Sequence, residues 1–253
     1  PGGCGAAIRA RRRQSYPQVS WRQPQLTSAV NLMGTLHVLE AVRGSCPEAS
    51  LLLAGSSAEY AADRDGRPLA ETASLNPASP YGISKLAADL TGALYAQRYG
   101  VRVVRVRPFF FIGPRKTDDV CSDFARGIVR AERTGNPRLP VGNLDIVRDF
   151  LDVRDGVAAM VLLAGQGRSG EVYNICRGEG FRLRDVLERF KALSPAAVRA
   201  EVDPAMLRPV DEPVKVGDPA RLMAMGWRPT RSLDDSLRDM LDYWRQIPEQ
   251  ARA

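Results

Sequence analysis

The sequence has few of the residues that build metal centres, disulfide frameworks and histidine-dependent hydrolases. Its four cysteines, Cys4, Cys46, Cys121 and Cys176, are widely scattered and include no C-x-x-C pair, so we expect neither a zinc site nor a disulfide framework. The single histidine, His37, lies in a stretch with the apolar spacing of an amphipathic helix, which favours a place on a helix face. A Ser-His-Asp hydrolase is therefore not expected, and we predict no metal ion.

Long apolar runs are also absent. No segment approaches the roughly 18 apolar residues of a membrane span, and residues 1–8 lack the apolar core of a secretory signal. We therefore expect no membrane partner and a cytoplasmic location. The formal net charge of +7 raises the question of nucleic-acid binding. However, arginine far outnumbers lysine, and alanine, glycine and proline are also abundant, as in the product of a GC-rich coding sequence. We expect no nucleic-acid partner.

A tyrosine and a lysine four residues apart form the most informative pattern in the chain. Tyr81 and Lys85 lie in the segment PYGISK at 80–85, at the start of a helix predicted over 80–99. Residues at this spacing share one face of a helix. A nearby positive charge lowers the pKa of a tyrosine from its usual value of about 10 and makes the phenol an acid and base near neutrality. Since ordinary surface helices also contain this spacing, the neighbouring segments decide its meaning.

The segments around this helix predict a parallel α/β sheet. A helix over 28–43 leads to a strand over 50–55, and the helix over 80–99 leads to a strand over 101–107. Such alternation implies parallel pairing. Small hydroxyl residues follow the strand at 50–55, and the carboxyl ends of such strands are where open α/β sheets bind ligands.

Besides the Tyr-Lys segment, the chain contains the motifs GSSAEY at 55–60, RPF at 107–109, IGP at 112–114, VGNL at 141–144, RDF at 148–150, DVRD at 152–155, GEVYN at 170–174, LRP at 207–209, GW at 226–227 and YWR at 243–245. On these motifs, from residue 15 to residue 246, the chain resembles the extended short-chain dehydrogenase/reductase family, and within it the group of GDP-mannose 4,6-dehydratase and GDP-4-keto-6-deoxy-D-mannose reductase. The amino-acid sequences of the serine segment and of the segment around Arg148 are more similar to those of the reductase.

The resemblance implies an α/β fold, in which a partial Rossmann-like, doubly wound parallel sheet carries a smaller mixed α/β substrate-binding region at the C-terminus. We expect an atypical segment at 1–14 and the remnant of a dinucleotide-binding domain at 15–113. The sugar-nucleotide-binding region would occupy mainly 114–253, with 143–165 packing back on the Rossmann part.

NAD or NADP is the cofactor that the resemblance implies. The residues expected to bind it are Asn31, Ser56, Tyr81, Lys85 and Pro108. The family also holds the dinucleotide pyrophosphate in a glycine-rich turn after its first strand. No such turn follows a strand in this sequence, and family-like sequence begins only near residue 15. We therefore expect the first strands to be missing and NAD(P) binding to be weak.

Four residues are expected to carry the chemistry by resemblance. In a reduction, Tyr81 would protonate the oxygen at sugar C4, Ser57 would hydrogen-bond the same oxygen, and Lys85 would hold the nicotinamide ribose and tune the tyrosine. In a dehydration, Glu59 would manage proton transfer during the loss of water at C6. A carboxylate at this position does not decide between the two reactions.

A GDP-sugar is the substrate that the resemblance implies. Arg148 and Arg208 would bind the diphosphate, because guanidinium groups pair bidentately with phosphate. Asp211 would accept from the ribose hydroxyls, and Asn143 completes the expected substrate contacts. We also expect a homodimer.

One departure from the family pattern concerns the substrate directly. The family segment Arg-x-Phe-Asn-His is RPFFF at 107–111, so Phe110 and Phe111 stand where an amide and an imidazole would contact the substrate. An altered substrate or a loss of activity would follow. Two alternatives therefore stay open: a non-catalytic remnant of such an enzyme, and an epimerase of another nucleotide sugar.

Overall fold

The structure is a computed structural model that describes residues 17–62, 66–117, 119–207 and 212–248. The expected segment 1–14 and the expected substrate residues Arg208 and Asp211 lie outside the described residues. The helices are α1 (Pro17–Arg22), α2 (Pro24–Ser28), α3 (Gly34–Ser45), α4 (Pro80–Tyr99), α5 (Val120–Thr134), α6 (Val153–Gln166), α7 (Leu183–Ala192), α8 (Ala220–Met223) and α9 (Leu233–Gln246). The strands are β1 (Leu51–Ala54), β2 (Val103–Pro108), β3 (Phe110–Ile112), β4 (Arg138–Val141), β5 (Val147–Arg148), β6 (Phe150–Asp152), β7 (Val172–Ile175), β8 (Phe181–Arg182), β9 (Arg199–Val202) and β10 (Val214–Lys215).

A three-stranded parallel sheet in the order β1-β2-β7 forms the centre of the N-terminal half. Side chains alternate between its two faces, as the pleat requires. Leu51, Leu53 and Val103 face α3 and α4 and form one apolar cluster with them. Val104 and Val106 belong to a second cluster, which includes residues of α6. Helices thus cover both faces of the sheet, and the predicted α/β class with a parallel sheet is confirmed.

The helix predicted over 80–99 is confirmed as α4, with both ends set by the sequence. Ser79 caps its first turn, with its Oγ accepting from the backbone N–H of Gly82 at 3.1 Å, and Pro80 occupies the first turn, where its missing N–H costs little. Gly100 ends the helix in the left-handed conformation, with φ of 67°.

The helix predicted over 28–43 differs from the structure. α2 begins at Pro24, a π-helical turn spans Ala29–Met33, and α3 continues to Ser45. Because a π turn depends on one extra residue per turn rather than on apolar spacing, the periodicity of the sequence did not indicate it. The turn contains Asn31, which is buried.

The C-terminal half is built around α5, α7 and α9, whose apolar sides form the largest cluster of buried side chains among the described residues. Phe124 of α5 and Phe190 of α7 meet edge to face, with ring centroids 6.4 Å apart. Short strands border these helices: β3 pairs with β6, β4 with β9, and β5 lies between β10 and β8. In the described part of the chain, no helix is long and apolar enough to cross a bilayer.

Candidate active site

The serine turn, which we define as residues 55–60, follows the carboxyl end of β1 and forms one side of the candidate site. Ser56 and Glu59 close a capping box there: Ser56 Oγ accepts from Ala58 N at 3.2 Å, and the Ser56 N–H donates to Glu59 Oε1 at 2.7 Å. Ser56 is half-buried, whereas Ser57 is 5% exposed.

Tyr81 and Lys85 form the opposite side, on the first turns of α4. Both are nearly buried, at 7% and 5% exposure. Lys85 Nζ donates to the carbonyl of Ala54 at 3.1 Å and lies 5.8 Å from the centroid of the Tyr81 ring. The last residue of β1 therefore holds the ammonium near the phenol, and the predicted common face of the two residues is present.

Gly82 allows α4 to approach the serine turn. A Cβ at this position would lie 2.4 Å from the carbonyl oxygen of Ala58 and 2.7 Å from Pro77 Cβ. Any larger residue would therefore push the first turn of α4, which carries Tyr81, away from the serines.

Asn31 supports the same helix turn from outside the sheet. Its Nδ2 donates to Ser84 Oγ at 3.0 Å, and that hydroxyl donates to the carbonyl of Tyr81 at 2.7 Å. The structure thus places Asn31 behind Tyr81. Pro108, another expected cofactor residue, is half-buried at the end of β2.

Arg107 of β2 lies behind the serine turn and joins it to α4. The guanidinium is 2% exposed and donates to Glu59 Oε2 at 2.9 Å, to Asp89 Oδ2 at 2.7 Å and to the Tyr60 hydroxyl at 3.2 Å. Glu59 and Asp89 are fully buried, and Arg105 also pairs with Asp89 at 3.0 Å. Glu59, expected as a catalytic acid, therefore has its carboxylate in a buried ion-pair cluster and a capping box.

The sequence pattern indicated no role for Arg107 or Asp89. The available signal was the alternation of Arg105 and Arg107 in the strand predicted over 101–107. Charged residues inside a strand need partners, but the pattern does not name them.

Burial changes the acid–base properties of this cluster. It raises the pKa of Glu59 to about 8, and repulsion by Asp89 acts in the same direction, while Arg107 opposes them. Burial likewise raises the pKa of Tyr60 to about 12. The Tyr60 hydroxyl donates to Asn174 Oδ1 at 2.7 Å, which ties the serine turn to β7.

The expected substrate residues are not all in one place. Arg148 is buried, with its Nη1 donating to the carbonyls of Val147 and Glu212, both at 2.8 Å. Asn143 is exposed and lines a separate cavity of about 400 Å³ that does not include Arg148. The other lining residues are Val141, Gly142, Leu144, Asp145, Arg184, Ala200, Val202 and Leu207.

The two phenylalanines that depart from the family pattern pack against neighbouring elements. The Phe110 ring meets that of Phe150 with centroids 6.1 Å apart, and Arg148 Cζ lies 5.4 Å from its centroid. Phe111 covers Gly156, where a Cβ would lie 2.6 Å from the ring. Phe110 therefore makes an aromatic platform for Arg148.

No group of three or more histidine, cysteine, aspartate or glutamate side chains in the described ranges is arranged to hold a metal ion. A doubly wound parallel sheet with a Tyr-Lys pair at the start of a helix, opposite serines at a strand end, defines the class of extended short-chain dehydrogenases/reductases. Within that class, the chain belongs to the GDP-mannose 4,6 dehydratase family, whose model matches residues 13–240.

Two curated relatives and one solved structure are similar over most of the chain. A GDP-6-deoxy-D-mannose reductase of Pseudomonas aeruginosa is 34% identical, covering 91% of this chain and 77% of the relative. A GDP-mannose 4,6-dehydratase of Vibrio cholerae is 25% identical, covering 90% and 70%. The structure of RMD from Pseudomonas aeruginosa complexed with NADPH has a TM-score of 0.87 at 32% identity, covering 93% and 80%.

The raised pKa of Glu59 predicts how stability depends on pH. Because the folded state holds this proton more tightly than the unfolded state, the free energy of unfolding should fall as pH rises from about 4.5 to about 8. Glu59→Gln removes this titration, so the fall should be less steep, by up to about 1.4 kcal/mol per pH unit. Urea unfolding across this range measures it.

Glu188→Gln is the matched control, because Glu188 forms an exposed ion pair with Lys191. It should leave the slope unchanged. Identical slopes in Glu59→Gln and the unmodified protein would contradict the assignment of a raised pKa to Glu59.

Proposed function

We propose that this chain catalyses the NAD(P)-dependent reduction of a GDP-linked 4-keto-6-deoxy sugar at C4. The observation that carries the proposal is the placement of Tyr81 and Lys85 on one buried face, across from the serine turn. The similarity to a GDP-6-deoxy-D-mannose reductase supports the choice of reaction and substrate.

The residues present fit the nicotinamide end of the cofactor. The phenol of Tyr81 and the ammonium of Lys85 offer a donor set for ribose hydroxyls at the carboxyl end of β1, where α/β sheets bind ligands. Ser56 lies two residues beyond the end of β1 and Pro108 is the last residue of β2, so both are at the same edge of the sheet, and Asn31 supports the turn that carries Tyr81. When bound, the reduced cofactor supplies a hydride.

Tyr81 is the proton donor in this proposal. Its phenol gives a proton to the sugar oxygen at C4, and the positive charge of Lys85 stabilises the phenolate that results. One hydride and one proton are added, so the product is heavier than the substrate by two hydrogen atoms.

A serine hydroxyl assists by donating a hydrogen bond to the same oxygen. The family resemblance implies Ser57 for this contact, and that role stays a prediction. Ser56 is the better candidate on exposure, because it is half-buried while Ser57 is 5% exposed. A larger loss of turnover in Ser57→Ala than in Ser56→Ala would favour the original assignment.

The environment of Glu59 favours reduction over dehydration. Elimination of water needs a mobile acid or base beside the sugar, whereas Glu59 is fully buried and bonded to Arg107 and to the Ser56 N–H. We therefore propose that Glu59 holds the serine turn in place. Reduction needs one proton donor, which Tyr81 supplies.

Binding of the nucleotide part involves the C-terminal region. We propose that Arg148, held over Phe110, pairs with the diphosphate, and that Asn143 contacts the nucleotide in the cavity of about 400 Å³. Arg208 and Asp211 keep their proposed contacts by resemblance. The division at residue 113 between cofactor and substrate regions is part of the same proposal.

A homodimer and a cytoplasmic location complete the proposal. Ile83, Leu90 and Leu94 share one face of α4 and are 57%, 53% and 48% exposed. A second copy of the chain would cover this apolar face. Sedimentation of a dimer would support the arrangement, and a monomer at all concentrations would contradict it.

The reaction itself is tested by supplying each of two substrates. GDP-4-keto-6-deoxy-D-mannose with NADPH should give a product heavier by two hydrogen atoms, since Tyr81 suffices as proton donor. GDP-mannose with NADP⁺ should stay unchanged, since Glu59 is engaged elsewhere. Mass spectrometry of both mixtures distinguishes the outcomes. Conversion of GDP-mannose would favour the dehydratase, and failure in both reactions would favour the non-catalytic alternative.

If Tyr81 is the proton donor, removing its hydroxyl oxygen should cause a large loss of turnover. Tyr81→Phe should lower kcat for the keto sugar by about a hundredfold or more, the scale of positioned acid–base catalysis. Tyr99→Phe is the matched control, because Tyr99 lies at the far end of α4 and is 51% exposed. Steady-state rates of NADPH oxidation measure both. Near-normal turnover in Tyr81→Phe would remove Tyr81 from the mechanism.

A further inference from the structure

Lys215 is a buried lysine to which the proposed reaction assigns no role. It lies in β10 of the C-terminal half and is 2% exposed. Its Nζ donates to the backbone carbonyl of Ser57 at 3.1 Å and pairs with Glu212 Oε2 at 2.6 Å. A side chain of the substrate region therefore holds the serine turn directly.

The same strand pair brings Lys215 beside Arg148. β5 and β10 are parallel, with Arg148 and Lys215 directly opposite each other, so the two side chains leave the sheet on one face. Glu212 connects them, because its backbone carbonyl accepts from Arg148 Nη1 while its carboxylate pairs with Lys215. A continuous chain of contacts thus runs from Arg148 through Glu212 and Lys215 to Ser57.

The positive charges of Lys215 and Arg148 repel each other. Burial lowers the pKa of Lys215, and the charge of Arg148 acts in the same direction, whereas Glu212 acts against both. An anion bound at Arg148 would offset its charge and so reduce the repulsion on the ammonium. The bond from Lys215 to the Ser57 carbonyl would then become stronger.

We propose that Lys215 is a positioning residue, which transmits diphosphate binding at Arg148 to the serine turn beside Tyr81. This inference rests on the proposed function, because it requires a nucleoside diphosphate at Arg148. Coupling of this kind is reciprocal, so an ordered serine turn would in return favour diphosphate binding.

Amide hydrogen exchange with and without GDP tests the coupling in the full chain. GDP should slow exchange in residues 55–60 of the unmodified protein by about tenfold, the scale of one charge-assisted hydrogen bond. Lys215→Met should still bind GDP, as calorimetry would register, but should lose most of this slowing. Lys191→Met is the matched control, since Lys191 forms an ion pair on α7 with Glu188, and it should behave like the unmodified protein.

A second variant covers the case in which Lys215→Met fails to fold. Glu212→Gln leaves the lysine in place but removes the carboxylate that holds its ammonium, and Glu212 is only partly buried. It should show a smaller loss of the same slowing. Full slowing by GDP in the folded variants would overturn the coupling alone. So would a Lys215→Met variant in which residues 55–60 exchange faster than in the unmodified protein by the same factor with and without GDP, because the slowing by GDP would then be intact. No GDP binding by the unmodified chain would overturn the proposed function and the coupling together.

Discussion

The buried guanidinium of Arg107 is the interaction on which the geometry of this site depends. It projects from β2 and bonds Glu59 of the serine turn, Asp89 of α4 and the Tyr60 hydroxyl. These three partners belong to the two elements that carry the serines and the Tyr-Lys pair. Because desolvated charges are costly when one partner is missing, the cluster stabilises one relative placement of the two elements.

Close packing and further hydrogen bonds refine that placement in the rest of the site. Gly82 lets α4 touch the carbonyl of Ala58, and Asn31 supports the turn behind Tyr81 through Ser84. Lys215 holds the serine turn from the substrate side. The proposed transfer of one proton from Tyr81 would depend mainly on such fixed orientation.

Local features of the sequence predicted the fold and the Tyr-Lys pair. The contacts between residues far apart in the sequence were not predicted. The i, i+4 spacing, the cap at Ser79 and Gly100 are all local, so the bounds of α4 were predictable. Glu59 meets Arg107 across 48 positions, and Lys215 meets Ser57 across 158. Neither contact follows from spacing, because each requires the sheet to be formed first. An acid expected beside the sugar is therefore found inside the ion-pair cluster.

A double-mutant cycle between Arg107 and Glu59 tests the central claim most directly. The free energy of unfolding would be measured for Arg107→Met, for Glu59→Gln and for the pair at one pH above about 8, where Glu59 is ionised. Arg107→Met alone should cost about 3–5 kcal/mol, because it leaves the buried Glu59 carboxylate without its ion-pair partner and leaves Asp89 with Arg105 alone. The double variant should cost less than the sum of the two single changes by at least about 1 kcal/mol. Additive losses would contradict the account, since they would mean that Arg107 does not hold the serine turn through Glu59.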